Sequence, residues 1–520
     1  MALYSLADKA ILLREGDNVA VVKEKLSAGT ELGWSGGQIR IPEDIPQGHK
    51  VALIDISEGK PVFKYAQIIG YATRNISAGE WVHNHNCHNG TVSLDYEFGT
   101  DLRTPKPVPA GEERTFQGFA RQDGRVGTRN YLSLVSTVNC SADTIHIVAD
   151  RLRREALQDF PNVDGIVAAT HKTGCGMAIN GKEYQVLQRT LAGMADHPNV
   201  GASLLVGLGC EVNQAAALIQ DQKLISPQSI GMGRPAPPPI LTIQHTGGVR
   251  KTIEAAFEQS LRLLKQANEV QRTTQSASGI IVGTNCGGSD GNSGITANPA
   301  LGVAGDELIR HGGTWLIAET SETYGAEHLL TRRAVSREVG QKLIDLMRWW
   351  EKYTAMHGAE IDNNPAPGNK DGGLTTIFEK SLGAVAKSGS MPMTAVYDYA
   401  ERIRHKGFCF MDTPGLDPVS VTGLVAGGSN LVAFTTGRGS CLGFKPSPVL
   451  KICTTSGLYE RMGEDMDINA GIILEGVSIE DVGLMIFEEL LAVASGKKTK
   501  SEAQGLGDAE FAPWALGPVL

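Results

Sequence analysis

Four cysteines each stand at the end of an apolar, β-branched run, where their thiols could bind a metal. The runs are LSLVSTVNC, GIVAATHKTGC, SLLVGLGC and GIIVGTNC, ending at Cys140, Cys175, Cys210 and Cys286. Functional groups of an open α/β sheet collect beyond the carboxyl ends of its parallel strands, so we expect the four sulfurs to line one crevice. The alternative is that they are small core residues, because free cysteine is usually buried.

A histidine pair offers a second set of metal ligands. His83 and His85 lie in the segment WVHNHNCHNG, and residues i and i+2 of a strand point to the same face. Two neutral imidazoles on one face could bind one metal ion or a substrate. We predict that they do so where a small N-terminal domain packs on the rest of the chain.

Two glycine-rich loops that follow predicted strands carry groups suited to a polar, anionic ligand. In TNCGGSDGNSGITANPALG, the amides of Gly287 and Gly288 could approach an anion closely. The same loop carries candidate polyol ligands at Ser289, Asp290, Thr296 and Asn298. In FTTGRGSCLGFKPSPV, Arg438 stands between two glycines, and its planar guanidinium suits both oxygens of a carboxylate.

A third loop, NPAPGNKDGG, presents Asn369 and Lys370 as candidate oxyanion or phosphate contacts. It lacks the spacing of a Walker A loop. The sequence also has no Cys-x-x-Cys pair and no Gly-x-Ser-x-Gly elbow, and its one dinucleotide-like stretch, GLGCEVNQ, lacks the third glycine. These absences argue against a zinc ribbon, a common hydrolase and a nicotinamide dehydrogenase.

The elements that must position these residues fall into three parts. Residues 1–98 alternate short apolar runs with glycines, which predicts a small β-rich domain. Residues 99–114 form a proline-rich, charged linker. Residues 115–272 and 273–520 alternate strand-like runs with amphipathic helices, which predicts two doubly wound, mostly parallel α/β domains.

Composition sets the broad class. The chain has 520 residues, of which 41% are hydrophobic and 20% charged, with 62 glycines. A net charge of −9 without a basic stripe argues against nucleic acid as a partner. We find no signal peptide and no apolar run long enough for a membrane span, and eight scattered cysteines do not form a disulfide framework. We therefore expect a cytoplasmic protein with reduced thiols.

Taken together, the motifs GRVGTRNYLSLVSTVNC, HKTGCG, VGLGCE, CGGSDGNSGITANP, NPAPGNKDGG, FTTGRGS and MDINAG resemble the altronate/galactarate dehydratase family. The resemblance runs over nearly the whole chain. It implies that the N-terminal part is a SAF, or β-clip, domain. HNHN at 83–86 and TYGAEHLL at 323–330 are closer to the altronate branch, whereas FTTGRGSCLGFKPSPV departs from both branches.

The family implies a hydro-lyase that dehydrates a sugar acid, altronate first and galactarate or a related acid second, to a 2-keto-3-deoxy acid. His171, Lys370 and Arg438 are then the catalytic candidates. Family members resemble Fe(II) enzymes; Mn(II) is an alternative, and the four cysteines also permit an iron–sulfur cluster. The expected partner is a small-molecule sugar acid, with a homo-oligomer left open. An iron–sulfur redox protein and a non-enzymatic sugar-acid-binding protein are the competing functions.

Overall fold

Short strands of the first ninety residues build a β-rich domain. A computed structural model describes residues 3–90, 94–109, 111–225 and 236–516. The elements of this domain are β1 Leu3–Ser5, α1 Leu6–Lys9, β2 Ala10–Ile11, β3 Val19–Val22, β4 Glu31–Trp34, β5 Gly37–Arg40, β6 Lys50–Ala52, β7 Pro61–Lys64, β8 Gln67–Ala72, β9 Trp81–Val82 and β10 Cys87–His88. The strands pair as β1-β4-β5, β2-β3-β6-β9 and β10-β8-β7. Every residue of β3 and β6 is buried, so these two strands form the centre of the domain.

The second part is a parallel sheet covered by helices on both faces. Its elements are β11 Thr115–Ala120, β12 Val126–Gly127, β13 Tyr131–Ser136, α2 Ala142–Glu155, β14 Gly165–Ala169, α3 Lys182–Ala195, β15 Val200–Gly207, α4 Ala215–Gln222, β16 Ile240–Thr242, α5 Ile243–Thr246 and α6 Val249–Asn268. The sheet order is β14-β13-β15-β16. Leu132 and Leu134 of β13 pack with α2 and α6, whereas Tyr131 and Val135 pack with α3. Side chains alternate between the faces of a strand, so β13 is buried on both sides.

The third part contains a larger parallel sheet. Its elements are β17 Thr273–Ser276, β18 Ile281–Cys286, α7 Ala297–Arg310, β19 Thr314–Ile317, α8 Glu327–Thr331, α9 Arg337–Met356, α10 Pro367–Asp371, α11 Ile377–Val385, β20 Met393–Tyr397, β21 Gly407–Met411, α12 Asp417–Ala426, β22 Leu431–Thr436, β23 Val449–Cys453, α13 Ser456–Arg461, β24 Ile468–Asn469, α14 Ile479–Ala494 and α15 Lys500–Ala503. The sheet order is β20-β21-β19-β18-β22-β23-β24, with every pair parallel. Helices α7 and α14 cover one face and α12 covers the other. The predicted fold class is confirmed: a small β-rich domain precedes two α/β parts.

The two α/β parts share a hydrophobic core. Strands β13, β14 and β15 contribute to the same apolar cluster as Val421 and Val425 of α12 and Phe434 of β22. Helices α3 and α12 pack so closely that a Cβ on Gly193 would overlap the carbonyl oxygen of Ala426. Strand β11 also pairs with β17 across the predicted boundary. None of the helices in the described parts of the chain is long and apolar enough to span a bilayer.

Candidate active site

The larger sheet reverses its winding direction between β18 and β22. The chain leaves β18 toward β19 on one side and leaves β22 toward β23 on the other, although β18 and β22 are neighbours. In open α/β sheets, ligands bind in the crevice beyond the carboxyl ends of such a strand pair. The loops that begin at Gly287 and Gly437 follow these two strands, so the candidate site lies where they meet.

A buried cluster of charged residues surrounds the carboxyl end of β18. The Lys387 ammonium donates to Cys286 Sγ at 2.9 Å and to Glu319 Oε2 at 2.6 Å. The Cys286 thiol lies 3.4 Å from Glu322 Oε2. Lys380 donates to Glu322 Oε1 at 2.8 Å. All five residues are buried, and charges survive burial when they are paired in this way.

Asp417 extends this cluster toward the surface. Its Oδ1 accepts a hydrogen bond from Asn285 Nδ2 at 3.0 Å. A Cβ on Gly287 would overlap the other carboxylate oxygen, so Asp417 lies directly against the glycine-rich loop. Unlike Glu319, the Asp417 residue is only partly buried. It is therefore the acidic group of the cluster that a ligand in the crevice could reach.

Two carboxyl groups of the site have pKa values near neutrality. Burial, followed by the nearby Glu319 and Glu322, raises the pKa of Asp417 to about 7. Burial also raises the pKa of Glu319 to about 7, against the opposing effect of Lys387. Burial raises the pKa of the Cys286 thiol, which favours its neutral form. Perturbed carboxyls in a crevice are typical of groups that transfer protons.

Cys286, Glu319 and Glu322 could also hold a metal ion. Their ligand atoms lie within 4.8 Å of one another. Glu319 Oε1 is buried and has no hydrogen-bond partner in the described structure, so one ligand atom is uncommitted. The donor types suit a divalent transition metal. Lys387 already donates to two of the three side chains, so its ammonium and a metal would compete for the same atoms.

The two glycine-rich loops bind each other through their backbones. The amides of Gly437 and Arg438 donate to the Gly288 carbonyl at 3.1 and 2.9 Å, and the Gly287 amide donates to Thr435 at 3.1 Å. Gly288 has a φ of +61°, a conformation that favours glycine. The Gly287 amide thus satisfies a backbone carbonyl, and its contact with an anion stays a prediction.

Several predicted polyol ligands hold these loops in place. Asp290 accepts from Ser293, Asn292 and Thr454, and is buried. Asn369 donates to the Ser289 carbonyl at 2.9 Å. Thr296 donates to Thr454 and Asn298 donates to Gly383, and both side chains are buried. These internal hydrogen bonds shape the crevice, and the predicted contacts of Asp290, Thr296, Asn298 and Asn369 with a substrate stay predictions.

The two predicted cations of the site differ in position. Arg438 is exposed and lies against Gly288, at the mouth of the crevice. Lys370 is partly buried near the end of α10, one residue before Asp371. The carbonyl of Asp371 lies 3.2 Å from His49 Nε2 of the N-terminal domain. Arg438 therefore lies beside the Gly288 loop, whereas Lys370 lies where two domains meet.

The N-terminal domain brings a histidine cluster to this junction. His83 stacks on Trp81 with ring centroids 5.3 Å apart, and His85 meets the same ring edge-on at 5.3 Å. His49, which sequence reasoning missed, lies 4.9 Å from His83 between ring centroids. Burial, followed by the Lys50 charge, lowers the pKa of His83 to about 3. His83 is therefore a neutral imidazole at physiological pH, as a ligand must be.

A buried ion triad fixes the N-terminal domain to the α/β body. Lys50 and Lys64 each donate to Glu379 at 2.9 Å, and Lys50 also donates to the Gly373 carbonyl at 2.6 Å. Thr375 donates to the same carboxylate at 2.7 Å. Burial opposes ionisation of Glu379, but Lys50 and Lys64 outweigh it and hold the pKa of this carboxyl well below its usual range.

The four strand-end cysteines divide into two sets. Cys140, Cys175 and Cys210 follow neighbouring strands of the smaller sheet and are exposed. Cys286 ends β18 of the larger sheet and is buried. The expectation of one crevice for all four is corrected, because β18 pairs with a different set of strands.

His171 occupies a structural position. Its Nε2 lies 3.0 Å from the Ser136 carbonyl, and its Nδ1 accepts from the Thr173 amide at 3.2 Å. Burial lowers the pKa of His171 to about 4. Both ring nitrogens already have partners in the chain, so the structure does not support the predicted catalytic role. The imidazole instead fixes the loop between β14 and Cys175.

Sequence reasoning missed most of the buried cluster. Glu319 and Glu322 follow β19 in the run IAETSET, and Asp417 begins α12 after β21. Strand ends that carry acidic residues were therefore a visible signal. Lys380 and Lys387 gave no such signal, because they lie on and after helix α11 and reach the site only through tertiary packing.

Comparison with known families accounts for most of the chain. The family models that match are described as "Altronate/galactarate dehydratase SAF domain" over residues 8–90, "D-galactarate dehydratase/Altronate hydrolase, second domain" over residues 118–268, and "D-galactarate/Altronate dehydratase, C-terminal" over residues 277–519.

Curated relatives align over nearly their full length. Galactarate dehydratase (L-threo-forming) of Escherichia coli is 39% identical over 506 residues, covering 95% of both chains. Altronate dehydratase of Bacillus subtilis is 34% identical over 497 residues, covering 95% of this chain and 96% of the relative. The (2R)-sulfolactate sulfo-lyase subunit beta of Chromohalobacter salexigens is 31% identical over 405 residues, covering 76% of this chain and 96% of the relative.

Proposed function

This chain belongs to the galactarate/altronate dehydratase family, and from that premise we propose that it removes water from a sugar acid in the crevice between β18 and β22. One observation carries the location. Asp417, the Gly288 loop and the Arg438 loop meet beyond the carboxyl ends of the two strands where the sheet reverses its winding. This is the position in which open α/β sheets bind their ligands.

The reaction breaks a C–H bond beside the substrate carboxylate and a C–O bond on the next carbon. Asp417 takes the α-proton, because it is the reachable carboxyl of the site and its pKa of about 7 leaves a large ionised fraction at neutral pH. The electron pair forms a carbon–carbon double bond as the β-hydroxyl departs with a proton as water. The resulting enol then takes a proton on the β-carbon to give the 2-keto-3-deoxy acid.

Cations stabilise the charge that develops during this reaction. Arg438 at the mouth of the crevice binds the substrate carboxylate, whose negative charge grows as the α-proton leaves. Lys380, which is 7% exposed against 1% for Lys387, donates to the departing hydroxyl from the inner side of the cluster. Glu319 and Glu322 keep both lysines protonated. Each of these cations thus stabilises an oxygen atom on which negative charge develops during the reaction.

Fe(II) is the metal that we propose for Cys286, Glu319 and Glu322, with Mn(II) as the alternative. The thiol among the ligands supports iron, since softer donors suit it better than Mn(II). Such an ion would supply a Lewis acid for the substrate's carboxylate and hydroxyl oxygens. The unpartnered Glu319 Oε1 supports this assignment.

The cytoplasmic location, the domain boundaries and a homo-oligomeric state remain predictions.

Altronate and galactarate are the two substrates to distinguish. The HNHN and TYGAEHLL segments favour altronate, whereas the galactarate dehydratase relative has the higher identity, 39% against 34%. We keep altronate as the first candidate and galactarate as the second. Both carry the carboxylate and adjacent hydroxyls that the proposed chemistry needs.

The test is turnover by the purified full chain without oxygen. Altronate, galactarate and epimeric hexonates are each supplied with Fe(II), with Mn(II) or with a chelator, and the 2-keto-3-deoxy product is measured by carbonyl derivatisation. We expect keto acid from altronate or galactarate, and less after chelation. Binding of these acids without keto acid under any metal condition would contradict the proposal and favour a sugar-acid-binding protein.

A further inference from the structure

The smaller sheet presents three exposed cysteines that the proposed dehydration does not use. Cys140, Cys175 and Cys210 lie in the loops after β13, β14 and β15. These strands are neighbours in the order β14-β13-β15, and all run parallel. Adjacent strands lie about 4.8 Å apart, so the three loops begin at one edge of one sheet.

Hydrogen bonds connect each of these loops to the other two. The Asn139 amide donates to the Thr173 carbonyl, and the Asn213 amide donates to the Gly174 carbonyl, each at 3.0 Å. Asn213 Nδ2 donates to the Thr137 carbonyl at 2.9 Å. The bonded residues stand within three positions of a cysteine in each loop. The three thiols are therefore held on one interlocked framework.

Glycines shape this framework. Gly174 and Gly176 flank Cys175 with φ values of +98° and +67°, and Gly209 precedes Cys210 with a φ of +129°. Residues that carry a side chain rarely adopt these backbone conformations. A Cβ on Gly174 would also overlap the carbonyl oxygen of Thr137. The backbone is therefore specialised at the cysteines, which a set of unrelated surface thiols would not require.

Polar groups lie beside the thiols at this edge. Cys140 stands in the turn that leads into the 14-residue helix α2. Gln244 Nε2 donates to Cys210 Sγ at 3.3 Å. Asn213 is fully buried, and its Oδ1 has no hydrogen-bond partner in the described structure, so a polar atom beside the cysteines is uncommitted.

The spacing of the sulfurs favours a cluster over a single ion. Within the described ranges, Cys286, Glu319 and Glu322 form the one group of three potential ligand atoms that lie within 4.8 Å of one another. At least one pair among the three exposed sulfurs is therefore farther apart than this. Bonds of about 2.3 Å around one ion would require sulfurs about 4 Å apart. An iron–sulfur cluster accepts wider spacing, because each thiolate binds a different iron.

We propose that Cys140, Cys175 and Cys210 bind a [4Fe–4S] cluster through three thiolates, leaving the fourth iron without a cysteine ligand. The ligand set is thus three of the four strand-end cysteines predicted from the sequence, since the fourth, Cys286, belongs to the other sheet. An iron that lacks a thiolate can take an oxygen ligand, as a hydroxyl or carboxylate would provide. The cluster is argued from the smaller sheet and does not depend on the function proposed for the larger one.

The test measures iron and acid-labile sulfide in the full chain, purified without oxygen and reconstituted with Fe(II) and sulfide. We expect about four sulfides per chain with about four irons in the cluster, in addition to any Fe(II) at the Cys286 site, and visible absorption that bleaches on reduction. Cys140→Ser, Cys175→Ser and Cys210→Ser should each lower the sulfide content severalfold. Thermal unfolding of the apo forms should stay unchanged, because the three side chains are exposed.

Two matched variants separate the alternatives. Cys441→Ser removes another exposed thiol, and Cys286→Ser removes the buried one; both should retain full sulfide. Sulfide loss in Cys441→Ser would overturn the three-thiolate arrangement, and absence of sulfide from the reconstituted wild-type chain would overturn the cluster altogether. Sulfide content is read without turnover, so a filled cluster in a chain inactive on every sugar acid would contradict only the proposed function.

Discussion

Asp417 and Arg438 carry opposite halves of the proposed chemistry at the level of single residues. Asp417 is a partly buried carboxyl with a raised pKa, whereas Arg438 is an exposed cation on a loop that backbone hydrogen bonds join to Gly288. Asp417 accepts the proton, and Arg438 stabilises the negative charge of the substrate carboxylate. Substitutions of the two residues should therefore change the kinetic constants and their pH dependence in different ways.

Asp417→Asn should lower kcat by about 10²- to 10⁴-fold, the usual contribution of a general base. The ionised fraction of Asp417 grows as pH rises through about 7. The wild-type rate should therefore rise over the same interval, and the residual rate of the variant should lack this rise. A pH–rate profile of both proteins checks the prediction. The exposed Asp345→Asn on α9 is the control and should keep the wild-type profile.

Arg438→Ala should lower kcat/KM roughly a hundredfold or more, because a charge-assisted donor is lost in the transition state. This corresponds to a loss of about 3 kcal/mol of transition-state stabilisation. Arg438→Lys should recover only part of this loss, since lysine lacks the bidentate geometry. Steady-state kinetics on the substrate measure both. Arg461→Ala, another exposed arginine, serves as control. A change below threefold in Arg438→Ala would make Arg438 an ordinary surface residue.

Replacing both His83 and His85 with alanine should abolish activity and leave the melting temperature nearly unchanged. Both rings contact Trp81 from partly or fully exposed positions, so little packing is lost. Activity, metal content and thermal unfolding are measured together. His88→Ala removes an exposed histidine of the same segment and should have no effect. Full activity with full metal content in the double variant would exclude a role for the pair.

At the scale of elements, the crevice depends on contacts between the N-terminal domain and the loops around α10 and α11. Lys50 on β6 and Lys64 on β7 both reach Glu379 on α11. Gly48 packs against Asn292 and Gly372 beside the same loops. A fully buried ion triad therefore helps to hold the histidine cluster against the α/β body.

Glu379→Gln should destabilise the protein by about 3–5 kcal/mol, because two buried ammonium groups lose their counter-charge. The pKa of Glu379 is lowered in the folded state, so its stabilisation is present above the unfolded pKa of about 4.3 and is lost as pH falls. Denaturant unfolding at pH 7 and at a pH below about 4.3 measures both effects. The variant should show the weaker acid dependence. The exposed Glu258→Gln should match wild type at both pH values.

At the scale of the whole molecule, the two α/β parts are joined by a common core. Helix α3 of the smaller sheet packs on α12, which covers the larger sheet and begins at Asp417. The position of the proposed base thus depends on packing between both sheets. A change at this interface should affect the stability of the two parts together.

Gly193→Ala should destabilise the chain by about 1–3 kcal/mol, the usual cost of overpacking, because its Cβ would overlap the Ala426 carbonyl. The usual gain in helix propensity from glycine to alanine is smaller than this cost. Thermal unfolding followed by two probes should show both parts shifting together. Gly457→Ala is the matched control, since a Cβ there meets nothing within 4 Å. An unchanged unfolding temperature in Gly193→Ala would contradict close packing of α3 on α12 at this position.

The sequence by itself determined the family, the fold class and the strand-end positions of the chemical groups. Alternating strand and helix patterns specify parallel sheets, and long ordered motifs such as CGGSDGNSGITANP identified the family that the comparisons confirm. Strand-end positions are local in sequence, so the placement of Cys140, Cys175, Cys210 and Arg438 after strands could be predicted directly. Periodicity and turn chemistry act over short distances, which a sequence shows.

Only the tertiary structure decided which of these groups meet. Cys286 belongs to a different sheet from the other three cysteines, because strand pairing joins segments that are distant in the chain. Asp290 and Asn298 proved to hold loops, and His171 proved to hold a turn, because a hydrogen-bond partner is fixed only after folding. Lys387 reaches Glu319 from 68 residues away. Burial, pairing and pKa depend on such distant neighbours, and the sequence order does not contain them.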